Sequence, residues 1–300
     1  ISDAVSKSNI FTYEIKRRGR VKTADGGRTI TQPVMMADEN VNFMWYLGRD
    51  ALNIAGQEVL TSAEFPWKQY ACGVSISGLE MLQNSGTNQV IDMLAARVQH
   101  ARKTIENQMA KSAHGDGTSF SGKEFGGMAL LIADAAGATV GGINSTTYTW
   151  WDNQRVITGA APGTSTIFGN MLSLFLKTKR GAADKVNMIS ADDTWFSVFV
   201  QSLQAQQRFS NGKLAEAGFS NILFMGDVPV VSDGGIGGYA PAGMKFVNLD
   251  TIELTMHKQR NNVVLNGPRR PLTEDSDTAI IAGMGNYTVP NRMLNGVLQT

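Results

Sequence analysis

The stretch that decides the fold runs Thr29-Ile-Thr-Gln-Pro-Val-Met-Met36, then Asn42-Phe-Met-Trp-Tyr-Leu-Gly-Arg49, and returns as Glu58-Val-Leu-Thr-Ser-Ala-Glu-Phe-Pro-Trp-Lys-Gln-Tyr70. Two extended runs flank a tip of large apolar residues: Phe43, Met44, Trp45, Tyr46 and Leu47. An isolated two-stranded hairpin is marginal in water, and no later segment is an evident local partner for this tip. Because large exposed apolar surface usually meets another molecule, the pattern indicates assembly rather than catalysis.

A basic arm precedes this hairpin. Residues 7–28 hold seven Lys or Arg against Glu14 and Asp25, a local charge of +5, whereas the whole chain has a formal charge of +1. The rest of the chain therefore sums to −4, which excludes a uniform polycation. A local basic segment predicts contact with phosphate or with an acidic neighbour. Its candidate contact residues are Arg17, Arg18 and Arg20.

Composition places the chain among globular proteins. Three hundred residues, 42% of them hydrophobic, are enough for one large or two ordinary domains with an ample core. The single cysteine, Cys72, excludes an intrachain disulfide and predicts a small, buried or half-buried thiol. No apolar run approaches the ~20 residues of a membrane helix, and no secretory signal is evident. The single cysteine fits synthesis inside the cell.

One long helix is predicted over 88–113, with Asn88 as its N-cap. Apolar residues recur at steps of three and four along it, namely Ile91, Leu94, Val98, Ala101, Ile105 and Met109. The opposite face carries Arg97, Arg102 and Lys103. At 1.5 Å per residue the helix would be ~39 Å long. One apolar stripe with a charged back predicts a helix laid across a sheet.

Local sequence patterns also predict several shorter helices and strands. Helices are expected at 4–11, 164–180 and 194–209, and Met128-Ala-Leu-Leu-Ile-Ala133 is expected to be a short buried segment. Strands are expected at 147–151, 186–190, 222–225, 228–231, 245–249, 251–257 and 278–282. Strand runs with segregated helices predict an α+β fold.

The motifs of common catalytic and metal sites do not assemble. His100, His114 and His257 have no second ligand at metal-binding spacing. The run Gly235-Ile-Gly-Gly-Tyr-Ala240 matches a dinucleotide fingerprint, but Pro241 and a strand follow where a helix is needed. The sequence therefore predicts no catalytic residues, no metal and no cofactor, and a protein that is not an enzyme.

Two acidic groups suit contacts better than acid–base catalysis. Asp192 and Asp193 are adjacent, and one of them is expected to cap a helix. Glu274, Asp275 and Asp277 lie in an expected loop. We expect this second group either to be solvated or to pair with the basic arm of another subunit.

The order of these parts resembles tailed-phage major capsid proteins of the Hong Kong 97 type. The matching motifs are Gly19-Arg-Val-Lys with Asp25-Gly-Gly-Arg-Thr-Ile, then Ala63-Glu-Phe-Pro-Trp-Lys-Gln-Tyr70 with Val74-Ser-Ile-Ser-Gly-Leu-Glu80. The most specific match is Val140-Gly-Gly-Ile-Asn-Ser with Tyr148-Thr-Trp-Trp-Asp-Asn-Gln154. The resemblance covers essentially the whole chain.

The resemblance implies a Hong Kong 97-like fold with four parts. Residues 1–19 would be the N-terminal arm and 20–76 the extended loop, a long β-hairpin. Residues 77–140 and 245–300 would be the peripheral domain with the long helix as its spine, and 141–244 the axial domain. Some members of the family crosslink through a lysine on the extended loop. The tip 41–54 contains no lysine, so no such crosslink is expected.

The implied function is that of a self-assembling icosahedral head shell enclosing double-stranded DNA. The implied partners are other copies as hexamers and pentamers, scaffolding, portal and decoration proteins, and packaged DNA bound non-specifically, without a membrane. The location would be the virion, after assembly in the host bacterial cytoplasm. Three alternatives stay open: a non-viral compartment shell of the same fold, a soluble enzyme using the 115–145 or 233–243 loops, and a nucleic-acid-binding module working through 7–28.

Overall fold

The computed structural model describes residues 10–36, 42–56, 59–83, 93–181, 184–207, 222–224, 228–233, 239, 243–269 and 275–300. The helices are α1 (Ile10–Arg17), α2 (Gly78–Gln83), α3 (Met93–His114), α4 (Ser119–Gly122), α5 (Met128–Leu131), α6 (Ile167–Lys177) and α7 (Asp193–Gln207). The strands are β1 (Val21–Ala24), β2 (Thr29–Met35), β3 (Leu60–Pro66), β4 (Lys68–Ser77), β5 (Thr139–Val140), β6 (Ile143–Asn144), β7 (Gln154–Ile157), β8 (Met188–Ala191), β9 (Ile222–Phe224), β10 (Val228–Ser232), β11 (Met244–Val247), β12 (Glu253–His257), β13 (Val263–Arg269), β14 (Ser276–Thr288) and β15 (Gly296–Gln299).

Strand β14 organises the first sheet. Its first ten residues pair antiparallel with all of β4, from Ser276 opposite Ser77 to Gly285 opposite Lys68. Its other edge pairs with β13 and then with β12, which in turn pairs in parallel with β1. This five-stranded sheet therefore joins residues from the N-terminal quarter of the chain to its last 50 residues.

Helix α3 lies on this sheet, as the sequence pattern predicts. Ala101 and Ile105 on the helix pack against Val74 and Ile281 on β4 and β14. Val98 and Met109 flank that contact and are partly buried, while Ile91 and the side chain of Leu94 lie outside the described residues. Arg97 departs from the expected outward face.

The guanidinium of Arg97 instead bonds to Glu80 on α2 and to Ser75 on β4. Its Nη2 atom lies 2.8 Å from Oε1 of Glu80 on α2, and its Nη1 donates to the carbonyl of Ser75. A backbone N–H from Ser77 and this guanidinium together hold the pKa of Glu80 below its usual value. Arg97 therefore ties α3 to the end of β4.

The second sheet has six strands in the order β7-β15-β11-β8-β10-β9. Helices α6 and α7 supply Leu174, Phe175, Trp195 and Phe199 to its core, beside Phe224 and Phe246 from the sheet. Strands β11 and β15 come from the C-terminal region, of which the sequence predicts that 245–300 belong to the peripheral domain. This sheet is thus built from two separate parts of the chain.

One predicted element is wrong in type, and another is tested only at its end. The N-terminal helix is predicted at 4–11, of which residues 1–9 lie outside the described residues. The described helix runs from Ile10 to Arg17, and Phe11 and Ile15, four residues apart, are both buried. The expected strand at 147–151 contains a 3₁₀ helix over Thr149–Trp151. There the buried Trp151 indole donates to the carbonyl of Val140, 2.9 Å away, which pulls the chain into a turn.

Replacing a buried residue of α3 tests the assignment of its two faces. Ile105 is 7% exposed, whereas Arg102 is on the exposed side of the same turn. Truncating a buried aliphatic side chain to Ala costs about 2–5 kcal/mol, so Ile105→Ala should lower the thermal midpoint of unfolding clearly. Arg102→Ala is the matched control and should leave it nearly unchanged. A reversed order of the two midpoints would contradict the placement of α3.

Candidate assembly surfaces

The predicted hairpin forms, and its base packs on the chain's own body. Strands β2 and β3 pair antiparallel from Thr29 opposite Pro66 to Met35 opposite Leu60. One face of this pair is buried through Ile30, Val34, Ala63 and Phe65. These side chains join a core that includes Val140, Ile143 and Trp151. Within the predicted extended loop 20–76, β2 and β3 form this separate pair, whereas β1 and β4 pair into the five-stranded sheet.

Gly141 is the point of closest approach between the body and the hairpin. The N–H of Glu64 donates to the Gly141 carbonyl at 2.9 Å. Gly141 has φ +61°, and a Cβ placed there would lie 2.9 Å from Cβ of Ala63 and 3.2 Å from Cζ of Phe65. Both the left-handed backbone and the contact require glycine. The Gly141-Gly142 pair is visible in the sequence, but the contact of Gly141 with residues 76 to 78 positions earlier is not.

The tip beyond this base has no cover within the described residues. Trp45 is 90% exposed, Leu47 87% and Ile54 89%. Phe43 and Trp45 meet edge to face at 5.5 Å between ring centroids, and Phe43 and Tyr46 are also exposed. Met44 is partly buried. Asn42 Nδ2 donates to the carbonyl of Ala55 at 2.7 Å and so holds the two ends of the tip together.

The arginines at the end of α1 and just after it meet acidic residues of the same chain. Arg17 pairs with Glu14 at 2.6 Å, and Arg18 lies 3.7 Å from Asp250. Arg20 reaches both Asp250, at 3.5 Å, and Glu253, at 3.3 Å. These pairs are partly exposed, so each contributes little to stability. The three arginines thus form one surface patch around the start of β1.

Glu253 is the buried acid of this patch. Its side chain is 5% exposed and lies 2.7 Å from Nζ of Lys22. Its other oxygen accepts from Nε2 of Gln32 at 3.4 Å, and that amide also donates to Thr288 Oγ1 at 3.1 Å. Glu253 therefore links β12 to the hairpin base. The sequence shows Glu253 as the one acid inside the predicted strand 251–257, but nothing in that local pattern indicates its partners.

The second acidic group is only partly described. Asp277 lies within β14, opposite Ile76, rather than in a loop. The carbonyl of Asp275 accepts from the N–H of Gly78 at 2.8 Å, which fixes the start of α2. Glu274 lies outside the described residues. Pairing of these acids with another subunit's arm stays a prediction.

An apolar groove of about 350 Å³ opens between α3, β4 and the α4 turn. Tyr70, Cys72, Ile105, Met109, Phe120 and Phe125 line it. Phe120 is 68% exposed and has φ +53°, a conformation that bulky residues rarely adopt. Burial raises the pKa of the Tyr70 hydroxyl to about 12. Cys72 is a partly buried free thiol, as the sequence predicts.

The described part of the chain was searched for clusters of metal-binding side chains and for helices that could span a membrane. Within it, no cluster of three or more His, Cys, Asp or Glu side chains is placed to hold a metal ion. Likewise, no helix among the described residues has both the length and the apolar character needed to cross a membrane.

Comparison with known proteins gives the fold. No protein-family model matches the chain, and neither does any curated protein sequence. Among solved structures, the capsid asymmetric unit of cyanophage A-1(L) matches with a TM-score of 0.69 at 14% identity, covering 99% of this chain and 94% of that one. The capsid of a native GTA particle matches at 0.58 and 14% identity, covering 94% and 88%.

A shell of another kind matches as well. The holo-SrpI encapsulin complex from Synechococcus elongatus gives a TM-score of 0.58 at 8% identity, covering 100% of this chain and 91% of that one. At such identities the likeness establishes the fold alone. The chain therefore has the α+β capsid fold of the Hong Kong 97 type, as the sequence motifs implied.

The contact at Gly141 can be tested against a neighbouring glycine. Gly141 and Gly142 both have positive φ, but only at Gly141 would a Cβ meet other atoms within 4 Å. Gly142→Ala therefore reports backbone strain alone, on the order of 1–2 kcal/mol. Gly141→Ala should lower the free energy of unfolding by a further ~1–3 kcal/mol because Ala63 and Phe65 must shift. Equal effects in chemical denaturation would contradict the close packing of the hairpin base.

Proposed function

We propose that this chain is the major capsid protein of a tailed bacteriophage, which assembles into the icosahedral head shell around double-stranded DNA. The observation that carries the proposal is the pairing of a buried hairpin base with an uncovered apolar tip. Trp45, Leu47 and Ile54 are each more than four-fifths exposed on a chain whose fold recurs in assembled capsids. Exposed apolar surface of this kind is best explained by burial against other copies.

The division into parts belongs to the same proposal. Residues 1–19 serve as the N-terminal arm, 20–76 as the extended loop, 77–140 with 245–300 as the peripheral domain, and 141–244 as the axial domain at the capsomer centre. The sheet pairing of β11 and β15 with β8 and β7 makes the last two parts share one sheet. Hexamers and pentamers of this chain form the shell, with scaffolding, portal and decoration proteins as further partners. The particle assembles in the host cytoplasm, and the chain performs no catalysis.

The basic patch is proposed to act between molecules. Arg17 remains 59% exposed in its side chain although it pairs with Glu14, and Lys22 remains 56% exposed beside Glu253. This segment carries five basic residues, Lys16, Arg17, Arg18, Arg20 and Lys22, and the last four meet only three acids, Glu14, Asp250 and Glu253. The surplus positive charge suits an acidic neighbouring subunit or packaged DNA, and its effect should weaken with added salt.

The apolar tip is proposed to dock on a neighbouring copy, in the groove between α3 and β4. The tip offers aromatic and aliphatic side chains without local cover, and the groove offers Tyr70, Met109 and Phe120 beside an open space of about 350 Å³. Together they would form part of a permanent interface, which typically buries ~2,000 Å² or more in total.

Removal of the tip tests the proposed function directly. Deleting 41–54 should leave a folded body, because β2 and β3 keep their packing on Val140 and Trp151. Assembly should fail because the intersubunit contact is gone. Circular dichroism would monitor folding, and electron microscopy would count closed particles. Normal particles from a folded deletion protein would refute the clamp role of the hairpin.

Charge placed on either side of the contact tests where the tip docks. Trp45→Asp and, separately, Phe120→Asp should each reduce shell yield at least tenfold, since a carboxylate buried without a partner costs several kcal/mol. Both residues are exposed in the subunit, so the thermal midpoint of unfolding should change little. Trp45→Phe is the conservative control and should assemble. Full assembly of Phe120→Asp, with Trp45→Asp failing, would place the docking site elsewhere.

The non-viral compartment shell is the second candidate, because the encapsulin complex shares the fold. The best of the cited phage matches is higher, at 0.69 against 0.58. The contents of purified particles separate the two: nuclease-protected DNA supports the capsid, and a protein cargo supports the compartment.

A further inference from the structure

The turn that contains α4 has an unusual backbone. Phe120 and Ser121 are consecutive, and both lie in the left-handed helical region, at φ +53° and ψ +42° and at φ +59° and ψ +41°. Gly117 and Gly122 on either side also have positive φ. A Cβ in this region crowds the following carbonyl oxygen, so the conformation is strained for residues other than glycine. Within the described part of the chain, Asn262 is the other non-glycine residue with positive φ, and asparagine tolerates it.

Burial of these two side chains does not explain the strain. Phe120 is 68% exposed, and Ser121 is exposed as well. Strained residues persist only where the surrounding structure holds them, and they cluster at active sites, ligand clamps and switch regions. The strain therefore calls for contacts that hold the turn and for a use of the conformation that they fix.

Polar contacts hold both ends of the turn. At its start, Oδ1 of Asp116 accepts from the N–H of Thr118 at 3.0 Å and from the Thr118 hydroxyl at 2.7 Å. The N–H of Gly122 donates to the carbonyl of Thr118 at 2.9 Å and closes the turn. At its end, Nζ of Lys68, the first residue of β4, donates to the carbonyl of Gly122. Lys68 thus connects the turn to the strand that follows the hairpin.

The held conformation places the Phe120 ring at the rim of the apolar groove. Tyr70, Met109 and Phe125 line the same groove. Large aromatic side chains are frequent anchors at protein interfaces. A side chain that is already held in its binding position loses less entropy when a partner arrives. The strain therefore occurs at the place where an exposed aromatic ring meets an open apolar groove.

The hairpin tip of a second copy fits this rim in polarity and in charge. The tip presents the exposed indole of Trp45 for the apolar groove. It also carries exposed Arg49 and Asp50, while Lys123 and Glu124 line the groove. Each surface thus has one base and one acid beside apolar residues, so pairing of opposite charges can set the orientation in which the tip docks.

We propose that residues 116–122, the docking turn, form a preset contact element for the hairpin tip of a second copy, with Asp116 and Lys68 as its positioning residues. The strained backbone at Phe120 and Ser121 fixes the aromatic ring at the groove rim before the tip arrives. This inference rests on the proposed shell function and adds the residues that shape the docking site.

Substitutions at Ser121 test the docking turn, because they change its backbone and leave the Phe120 side chain in place. Ser121→Pro fixes φ at about −65° and so excludes the turn. The yield of closed shells should fall at least tenfold, while circular dichroism shows a folded subunit. Ser121→Gly adopts positive φ at no steric cost and should form shells at wild-type yield. Both variants remove the same hydroxyl, so its loss cannot account for a difference between them.

Loss of the Lys68 contact tests the positioning role, and it decides the question if Ser121→Pro does not fold. Lys68→Met removes the donor to the Gly122 carbonyl and should reduce shell yield several-fold, whereas Lys68→Arg keeps a cationic donor and should retain the yield. Adding Ser121→Gly to Lys68→Met should restore shell formation, because glycine removes the strain that the Lys68 contact opposes. A role of Lys68 in charge or packing alone gives no such rescue.

The outcomes separate the docking turn from the shell function. Shells from the wild type, with equal yield from Ser121→Pro or from Lys68→Met, would overturn the docking turn and leave the shell function standing. Failure of glycine to rescue Lys68→Met would overturn the role of backbone strain. A wild-type chain that forms no shells would overturn the shell function and the docking turn with it.

Discussion

Four consecutive backbone carbonyls, those of residues 131–134, anchor the end of α5 to the six-stranded sheet and to the residues that precede its strands β7 and β15. Each accepts a hydrogen bond from a side chain distant in sequence: Arg292 Nε to Leu131 at 2.8 Å, Lys245 Nζ to Ile132 at 3.0 Å, Asn153 Nδ2 to Ala133 at 2.9 Å and Gln299 Nε2 to Asp134 at 3.1 Å. The segment begins at the last residue of α5, and residues 132–134 belong to no helix or strand that would satisfy these groups. A buried carbonyl without a partner would cost about 1–3 kcal/mol. The side chains therefore decide where this segment can lie.

Burial removes the two cationic donors, Arg292 and Lys245, from water, which disfavours their charged forms. Arg292 is fully buried, and burial lowers the pKa of its guanidinium to about 10, so it stays charged at neutral pH. Burial likewise lowers the pKa of Lys245, against the opposing effect of its contact with Asp134. Arg292 also donates to the Trp151 carbonyl and to Asn153 Oδ1. Because a buried charge needs several partners at once, these contacts fix the relation between the six-stranded sheet and the region that carries the hairpin.

The packing of the hairpin base on the body sets the position of the exposed hairpin tip. Trp151, held from one side by Arg292, lies in the same core as Phe65 and Ala63 of the hairpin base. The apolar tip is thus presented at a set position rather than folded back onto the chain. Preorganised surfaces bind with less entropic cost than surfaces that must first be ordered. This arrangement suits a subunit that must meet identical neighbours in repeated geometry.

The local parts of this account could be predicted from the sequence, because they depend on neighbouring residues. The periodicity of Ala101 and Ile105 placed the face of α3 correctly, and the Asp192 cap and the hairpin of β2 and β3 followed from short patterns. The contacts that fix the body could not be predicted in this way. Lys245 and Arg292 reach carbonyls 113 and 161 residues away, and no period in a local window encodes such a pairing. Strands β7, β13 and β15 were missed because pairing in the sheets stabilises runs with weak local patterns.

The most direct measurement of the central claim is electron microscopy of the purified full chain at high concentration. A subunit with this fold and an uncovered apolar tip should form curved or closed shells of repeating capsomers. A chain that stays a monodisperse monomer at every concentration, with its tip still exposed to solvent, would contradict the account.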